Sequence, residues 1–371
     1  MCGGPFTTRG GSSSCAASLP AAYTAAMRCR PVARSIALGA HPDLRSLGDL
    51  HIAGIVYHGG YMLGQFVSSS KVGGLVAQAR RSSEPWLLFD EREFRAGYNE
   101  RPFVVTHRLA DHPRFALGAL GALCRRLPAE QVPYRFGVVP VDAHFDSSLE
   151  RYRGQLTLDD AIDHLEDRQA YIAVYNAETD PEYRPVIEGL LGEIAAHTEP
   201  IEPGLNWYST YIFITAHDSV TPYHMDREMN FLLQIRGTKT VKLWDPRDPE
   251  IMTPAEKDQL LAQRHEPRPT YKPSFERKAM TFELAPGLGV HHPFIAPHLV
   301  TTGKQLSISL AITFRTQRSD VWTDAHCFNH RLRSRLGVAP GNVGSRGVID
   351  ATKAGIIRMG RQARRLLHSS R

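Results

Sequence analysis

The sequence predicts a mainly β fold with flanking helices, in which short antiparallel strands form a sandwich or a barrel. From about residue 207 onward, five strand-like runs follow one another with no helices alternating between them. Turns containing glycine or proline separate these runs, for example at Arg236-Gly237 and Pro286-Gly287. The chain has 371 residues, of which 42% are hydrophobic and 22% charged, as in globular proteins. That length suits one large domain or two ordinary ones.

Composition excludes several classes of protein. No apolar run of about 18 residues is present, so we expect no transmembrane helix and no membrane partner. The five cysteines include no CxxC pair, and three of them fall before residue 30. This pattern disfavours a disulfide framework or a cysteine-based zinc site, and it favours a reducing compartment such as the cytoplasm.

The net charge of +6 is concentrated at the two ends of the chain. Residues 1–42 carry +4 and residues 331–371 carry +9, which leaves −7 for residues 43–330. A basic protein can bind nucleic acid, but here the excess belongs to the ends, so we do not favour nucleic acid as the main partner. Residues 353–368 are more typical of a docking helix, and a homodimer through the C-terminal helix is one expectation.

The first 84 residues are predicted to be a disordered or poorly ordered extension. The first 45 residues are rich in glycine, serine, alanine and arginine and show no sustained period of 2 or 3.6 residues, and the stretches at 68–71 and 80–83 are typical of further linker. Ordered structure should begin near Pro85-Trp86, and residues 85–204 should form an α/β flank that packs on the barrel. Helices are predicted there at 115–127, from Thr157 onward with a capping acid, and at 185–194, with a strand at 171–175.

The C-terminal half contains the predicted barrel strands and a helical tail. The segment 245–280 shows no readable motif, so we expect loops that determine substrate specificity. Residues 317–371 are predicted to form a basic, helical C-terminal tail. The predicted strands span 208–215, 230–235, 238–244, 280–284 and 306–314.

The most informative stretch for chemistry is the Thr-Pro-Tyr-His-Met-Asp run at 221–226. On an extended strand, His224 and Asp226 point to the same face. Two histidines and one carboxylate on one face leave open metal positions, which suits non-haem Fe(II). His298 is the best candidate for the third ligand. His291 and His292 are alternatives that we favour less, because we expect them at the start of its strand. A histidine and an aspartate separated by one residue, as His224 and Asp226 are, can also be ordinary polar residues with no metal.

Lys239 is the second informative residue. It shares strand parity with Val241 and Leu243, whereas Lys242 has the opposite parity. Lys239 should therefore point inward, where a lysine without a partner is costly and should meet an anion. A dicarboxylate co-substrate would supply that anion. The alternative is that the side chain reaches water at the edge of the strand.

The run from Thr221 to Lys239, with its Gln-Ile-x-Gly-x-Lys segment, resembles the JmjC/cupin-like Fe(II)- and 2-oxoglutarate-dependent oxygenases. The resemblance covers about residues 205–316 and implies a double-stranded β-helix there, of the cupin or jelly-roll, JmjC-like type. It implies Fe(II) on His224, Asp226 and His298, with 2-oxoglutarate as co-substrate. The further residues it implies are Lys239 and Thr221 on the distal carboxylate and Asn230 near the iron. Tyr211 could line the co-substrate pocket or pack in the core.

The implied activity is that of a dioxygenase that hydroxylates a C–H bond of a protein, peptide or small metabolite. Pro297 and Ala311 depart from the asparaginyl hydroxylases of the family, so their substrate is not implied. One alternative is a cupin protein that binds metal without turnover, and a second is an oxygenase associated with nucleic acid or chromatin. Lys239 argues against the first, because metal binding alone needs no inward lysine.

Overall fold

The computed structural model describes residues 64–143, 145–263 and 269–369. Its α-helices are α1 (Ser69–Ala79), α2 (Glu91–Gly97), α3 (Leu117–Arg126), α4 (Phe145–Arg151), α5 (Leu158–Asp163), α6 (Arg184–Thr198), α7 (Pro254–Ala262), α8 (Gln317–Leu336) and α9 (Gly347–Ser369). Short 3₁₀ helices lie at Pro113–Phe115, Ala129–Gln131, Ala177–Thr179 and Pro273–Lys278. The first five strands are β1 (Gln65–Phe66), β2 (Leu87–Leu88), β3 (Val104–His107), β4 (Tyr134–Phe136) and β5 (Ala170–Tyr175). The others are β6 (Leu205–Thr215), β7 (Val220–Met225), β8 (Met229–Arg236), β9 (Lys239–Leu243), β10 (Met280–Leu284), β11 (Leu288–His292), β12 (Pro297–Thr302) and β13 (Ser307–Thr316).

Strands β6 to β13 form the double-stranded β-helix that the sequence predicts. They divide between two antiparallel sheets, one ordered β11-β8-β13-β6 and the other β10-β9-β12-β7. Most steps along the chain cross from one sheet to the other, so the two sheets face each other. The larger sheet continues through β3 and β2 beyond β11, and through β5 and β4 beyond β6, while β1 also pairs with β6. The predicted mainly β fold with flanking helices is confirmed.

The two faces of the larger sheet differ in what they contact. On β13, the even-numbered Ile308, Leu310 and Ile312 belong to the large core beside the helices, which also contains Leu190 and Ile194 of α6. The odd-numbered Ala311 belongs instead to a smaller apolar cluster between the sheets, with Leu232, Val241 and Val300. Alternation along the strand therefore separates the helix-facing core from the interior of the barrel. The site described below lies in that interior.

Most predicted elements are found within a few residues of their expected bounds. Strands β5, β6, β8, β9, β10 and β13 and helices α3, α5 and α6 correspond to predicted segments. At the start of α5, Thr157 accepts a hydrogen bond from the backbone N–H of Asp160, whose carboxylate accepts one from the Thr157 N–H. This reciprocal capping is the reason why the helix was readable from the sequence.

The prediction that order begins near Pro85 is wrong for the stretch just before it; residues 1–63 lie outside the described ranges. Helix α1 begins after Ser68, whose hydroxyl accepts a hydrogen bond from the Lys71 N–H at 3.3 Å. Val72 and Leu75 are buried. A Cβ built at Gly192 of α6 would lie 2.6 Å from the Leu75 carbonyl oxygen, so the two helices touch closely. Tertiary packing, rather than the weak helix propensity of a glycine-containing segment, orders this helix.

The expectation of loops throughout 245–280 is also wrong. Helix α7 begins at Pro254, and Thr253 and Glu256 form a reciprocal capping box around its first turn. The signal was present in the sequence as Thr-Pro-Ala-Glu, because proline is favoured in the first turn and glutamate three residues after a threonine completes the box.

The C-terminal segment is helical, as predicted. Helix α8 ends at Gly337, whose φ of 64° is the left-handed conformation that closes many helices. Helix α9 packs against α8 through Asp324, which accepts hydrogen bonds from Arg358 at 2.8 Å and Arg361 at 2.5 Å. Within the described ranges, no helix is both long and apolar enough to cross a membrane.

Candidate metal centre and co-substrate pocket

Three predicted side chains come together at one end of the barrel interior. His224 near the end of β7 lies opposite His298 near the start of β12, and their ring centroids are 4.1 Å apart. Asp226 follows β7 directly, with one carboxylate oxygen 3.9 Å from His224 Nε2 and the other 3.8 Å from His298 Nε2. One ligand atom from each residue can be chosen so that all three lie within 4.8 Å of one another.

Backbone contacts orient both imidazoles toward the carboxylate. His224 Nδ1 lies 2.7 Å from the Pro222 carbonyl oxygen, and His298 Nδ1 lies 3.0 Å from that of Ala296. A carbonyl oxygen only accepts, so Nδ1 carries the proton and Nε2 presents its lone pair toward Asp226. Metal-binding histidines are typically held this way. Nitrogen and oxygen ligands about 2 Å from one ion lie no more than about 4 Å apart, and the 3.9 Å and 3.8 Å separations between the carboxylate and the two imidazoles meet that limit. Two imidazoles and one carboxylate are a ligand set that suits a divalent transition-metal ion.

His291 and His292, the alternative third ligands, do not begin the strand of His298. They end β11, and a turn at 293–296 separates them from β12. His291 faces the helices: its Nδ1 donates to the Asn230 carbonyl oxygen and its Nε2 accepts from the Asn99 N–H. Burial lowers the pKa of His291 to about 3. With both nitrogens engaged by the backbone, His291 serves the structure and not the site.

Lys239 points into the barrel, as its strand parity predicts. Only 3% of the residue is exposed, and its Nζ donates to Ser309 Oγ at 2.5 Å. The ammonium also lies 5.3 Å from the centre of the Phe213 ring. Across the described ranges no carboxylate pairs with it, and burial lowers its pKa to about 7. Lys242, on the opposite face, pairs with Glu276 at 2.6 Å. The interior thus contains a buried amine whose anionic partner is missing from the described residues.

Thr221 faces the interior for a reason that strand alternation alone does not give. It lies three residues before His224, a spacing that would place the two on opposite faces of a regular strand. However, the pairing of β7 with β12 shifts register between His298 and Val300, and Thr221 lies opposite Val300. This irregularity brings Thr221 to the inner face, where its hydroxyl is 3.2 Å from the Tyr171 hydroxyl.

Asn230 and Tyr211 also lie in the interior. Asn230 is buried on β8 opposite His292 of β11, and its Oδ1 has no hydrogen-bond partner in the described part of the chain. The Tyr211 ring is half-buried and packs edge-on against Tyr175, with centroids 5.1 Å apart. Burial raises the pKa of Tyr211, so its hydroxyl stays protonated.

Sequence reasoning missed two residues of this interior, Ser309 and Tyr171, and it named His292 only as an alternative metal ligand. The signal for Ser309 was the Ser-Ile-Ser alternation of β13, which places polar side chains at inward positions of an apolar strand. Tyr171 comes from β5, outside the barrel strands, and no sequence spacing connects it with Thr221. The proximity of His292 to His298 depends on the turn between two strands, which the sequence did not reveal.

The fold and the site together define a double-stranded β-helix protein with two histidines and an aspartate at metal-ligand spacing inside the barrel. Residues 100–320 match the family described as Cupin-like domain. Because this match covers more than half of the chain, the chain belongs to the cupin-like domain family.

Solved structures similar to this chain include that of E. coli ycfD, at 14% identity and a TM-score of 0.41, covering 70% of this chain. A structure of the Escherichia coli ribosomal oxygenase YcfD is 12% identical, with a TM-score of 0.38, covering 73% of this chain and 66% of that one. A complex of YcfD with cobalt and 2-oxoglutarate is 13% identical, with a TM-score of 0.39, covering 71% and 61%. The chain spans 62% of the length of the first of these structures. No curated protein matches the chain.

Burial should make Lys239 a source of instability when nothing is bound. Its pKa falls from 10.5 to about 7. Below pH 7 the lysine is therefore charged inside an apolar interior, which lowers the free energy of unfolding by several kcal/mol. Between pH 7 and 10.5 the unfolded chain binds a proton that the folded chain does not, and the cost therefore shrinks as pH rises. Lys239→Met should raise the free energy of unfolding more at pH 6.5 than at pH 9.5. Urea unfolding of both proteins measures this, and an equal gain at both pH values would contradict it.

Proposed function

We propose that this chain is an Fe(II)- and 2-oxoglutarate-dependent dioxygenase that hydroxylates a C–H bond of a protein, peptide or small metabolite. The observation that carries the proposal is Lys239, a buried amine without an acidic partner in the described ranges, in the same interior as His224, Asp226 and His298. A cupin protein that only binds metal has no use for such a lysine. A dicarboxylate that reaches from the metal to the amine gives it a function.

In this proposal, His224, Asp226 and His298 would hold the iron. Bound there, Fe(II) would supply the redox chemistry that couples decarboxylation of 2-oxoglutarate to hydroxylation of the substrate. The backbone carbonyls on the two Nδ1 atoms keep both imidazoles in the tautomer and orientation that metal binding needs.

Lys239 would pair with the distal carboxylate of the co-substrate. Ser309 holds the amine in place, and Thr221, positioned by the Tyr171 hydroxyl, offers a second hydrogen-bond donor. The apolar cluster between the sheets, which includes Val241 and Val300, keeps water from this end of the pocket. Because burial favours the neutral amine, binding of the dianion should be accompanied by protonation of Lys239, which strengthens the pair in a dry environment.

The experiment that tests this proposal is uncoupled turnover with 2-oxoglutarate labelled at its 1-carboxylate. We expect release of labelled CO₂, together with succinate, that requires both Fe(II) and O₂ and disappears in His224→Ala. Lys242→Ala, on the outer face of β9, should release CO₂ at the unaltered rate. Iron-loaded protein that releases no more CO₂ than a protein-free control would contradict the proposal.

We also propose that the chain forms a homodimer through α9. Apolar side chains lie along this helix at spacings of three or four residues and their multiples, which is the pattern of a helix-pairing seam. Among them, Met359 is 64% and Leu367 is 69% exposed. The same seam on a second copy would cover them in a symmetric interface.

Met359→Glu should convert such a dimer to monomers, because it places a charge in the seam. Arg365→Glu, an exposed substitution six residues further along the same helix, introduces the same side chain on a different face and should leave the dimer intact. Light scattering after gel filtration gives the mass of each protein. A monomeric unaltered chain would contradict the proposal.

Three further expectations remain proposals. We propose a barrel domain at 205–316, a flank at 85–204, a helical tail at 317–371 and an N-terminal extension at 1–84 that includes α1. We propose a cytoplasmic location, which agrees with the buried free thiol of Cys124. Nucleic-acid binding is not favoured, because Asp324 pairs with Arg358 and Arg361 of the basic tail.

A further inference from the structure

His292 is a buried histidine whose hydrogen-bonding capacity is unused. The residue is 2% exposed, and neither ring nitrogen has a hydrogen-bond partner within the described ranges. Directly across the β11–β8 pairing lies Asn230, whose Oδ1 is likewise buried and unpaired. Buried polar groups without partners are costly, and such groups gathered at one place indicate a site built for a polar ligand.

The position of His292 shows which end of the interior this ligand would occupy. Its ring packs edge-on against the ring of His298, with centroids 4.6 Å apart. Lys239, by contrast, reaches Ser309 of β13, and β8 separates β13 from β11 in the larger sheet. His292 and Asn230 are therefore beside the candidate metal ligands rather than beside the lysine.

His292 is not a fourth member of the metal-ligand cluster, nor does the strand need it for support. Within the described ranges, the group of three or more histidine, cysteine or carboxylate side chains whose ligand atoms all lie within 4.8 Å of one another is His224, Asp226 and His298. On the outer face of the same strand, His291 bonds to the backbone of Asn99 and Asn230. The structural hydrogen bonds of the end of β11 are thus made by His291.

We infer that His292, together with Asn230, binds the 2-oxoacid end of the co-substrate. This inference rests on the proposed function. With the distal carboxylate on Lys239, the 1-carboxylate of 2-oxoglutarate would lie near His298, and the oxygen turned away from the metal needs donors. A neutral imidazole offers one N–H, and the Asn230 amide offers its NH₂ group once it turns so that this end, instead of the Oδ1 that now lacks a partner, faces the ligand. His292 is therefore a co-substrate-binding residue that recognises the part common to all 2-oxoacids.

The test compares two ligands in anaerobic, Fe(II)-loaded protein, with affinity read from the visible charge-transfer band. The ligands are 2-oxoglutarate and pyruvate, a 2-oxoacid that lacks the distal carboxylate. His292→Phe should weaken both by about tenfold or more, because a hydrogen bond to a charged group is lost. Lys239→Ala should weaken 2-oxoglutarate and leave pyruvate unchanged. His292→Leu, a smaller apolar replacement, should cause the same loss and provides a second variant if phenylalanine disturbs folding. His292→Gln, which keeps a donor and an acceptor, should restore most of the affinity.

His291→Gln is the matched control, because it removes a buried imidazole from the opposite face of the same strand. It should change both affinities by less than about threefold. If folded His292→Phe or His292→Leu binds both ligands as the unaltered protein does, the inference is overturned. If His292→Phe weakens the binding of metal alone, measured with Co(II), and leaves the affinity for both 2-oxoacids unchanged, the inference is likewise overturned. His292 would then support the metal ligands and would not bind the co-substrate. Unaltered, iron-loaded protein that binds neither 2-oxoacid would overturn the proposed function, and this inference with it.

Discussion

Lys239→Ala should weaken 2-oxoglutarate binding by two to three orders of magnitude or more while leaving metal binding intact. The substitution removes a buried cation that points into the barrel and has no carboxylate partner within the described ranges. Losing one member of a buried ion pair typically costs about 3–5 kcal/mol, and about 1.4 kcal/mol corresponds to a tenfold change in affinity. Calorimetric titration of Co(II)-loaded protein with 2-oxoglutarate measures the loss without turnover.

Lys242→Ala is the control for this prediction. Lys242 lies three residues further along β9, points outward and pairs with Glu276 near the surface. Because its ammonium lies on the face turned away from the interior, the affinity for 2-oxoglutarate should change by less than about tenfold. If both lysine variants show equally small effects, Lys239 does not bind the co-substrate.

Asp226→Ala should reduce the affinity for Co(II) or Fe(II) by more than about a hundredfold. Asp226 is the only anionic member of the three-residue cluster and lies within 4 Å of both histidine Nε2 atoms. Changing an outer residue that merely orients a metal ligand already costs about 10- to 100-fold in affinity, and loss of a direct ligand should cost more. Titration with Co(II), followed by its visible absorption, measures the change.

Asp218→Asn is the matched control, because it removes a carboxylate from the loop before β7, where Asp218 pairs with Lys304. This variant should bind metal as the unaltered protein does. An Asp226→Ala variant with undiminished Co(II) affinity would show that the cluster is only a polar contact.

Much of the barrel could be predicted because its signals are local. Strand alternation places Lys239 on the inner face together with Val241 and Leu243, and the structure has all three buried. The same rule places His224 and Asp226 side by side. Glycine and proline turns mark the strand ends within a few residues, because these residue types adopt or impose turn conformations.

The features that the sequence did not reveal depend on contacts between distant segments. Helix α1 is ordered by contact with Gly192 of α6, more than 100 residues away. Thr221 reaches the interior through an irregularity in strand pairing that no spacing rule predicts. His292 lies beside His298 because a turn at 293–296 folds two strands into different sheets. In each case tertiary structure overrides a local pattern.

The most direct test of the central claim is the visible spectrum of the anaerobic, Fe(II)-loaded protein during addition of 2-oxoglutarate. If His224, Asp226 and His298 hold iron and Lys239 anchors the co-substrate, a weak charge-transfer band should appear and saturate at one equivalent per chain. The band should be absent from Asp226→Ala, and in Lys239→Ala it should require far higher concentrations of 2-oxoglutarate. Iron-loaded protein that shows no band and binds no 2-oxoglutarate would contradict the assignment of this interior as an oxygenase site.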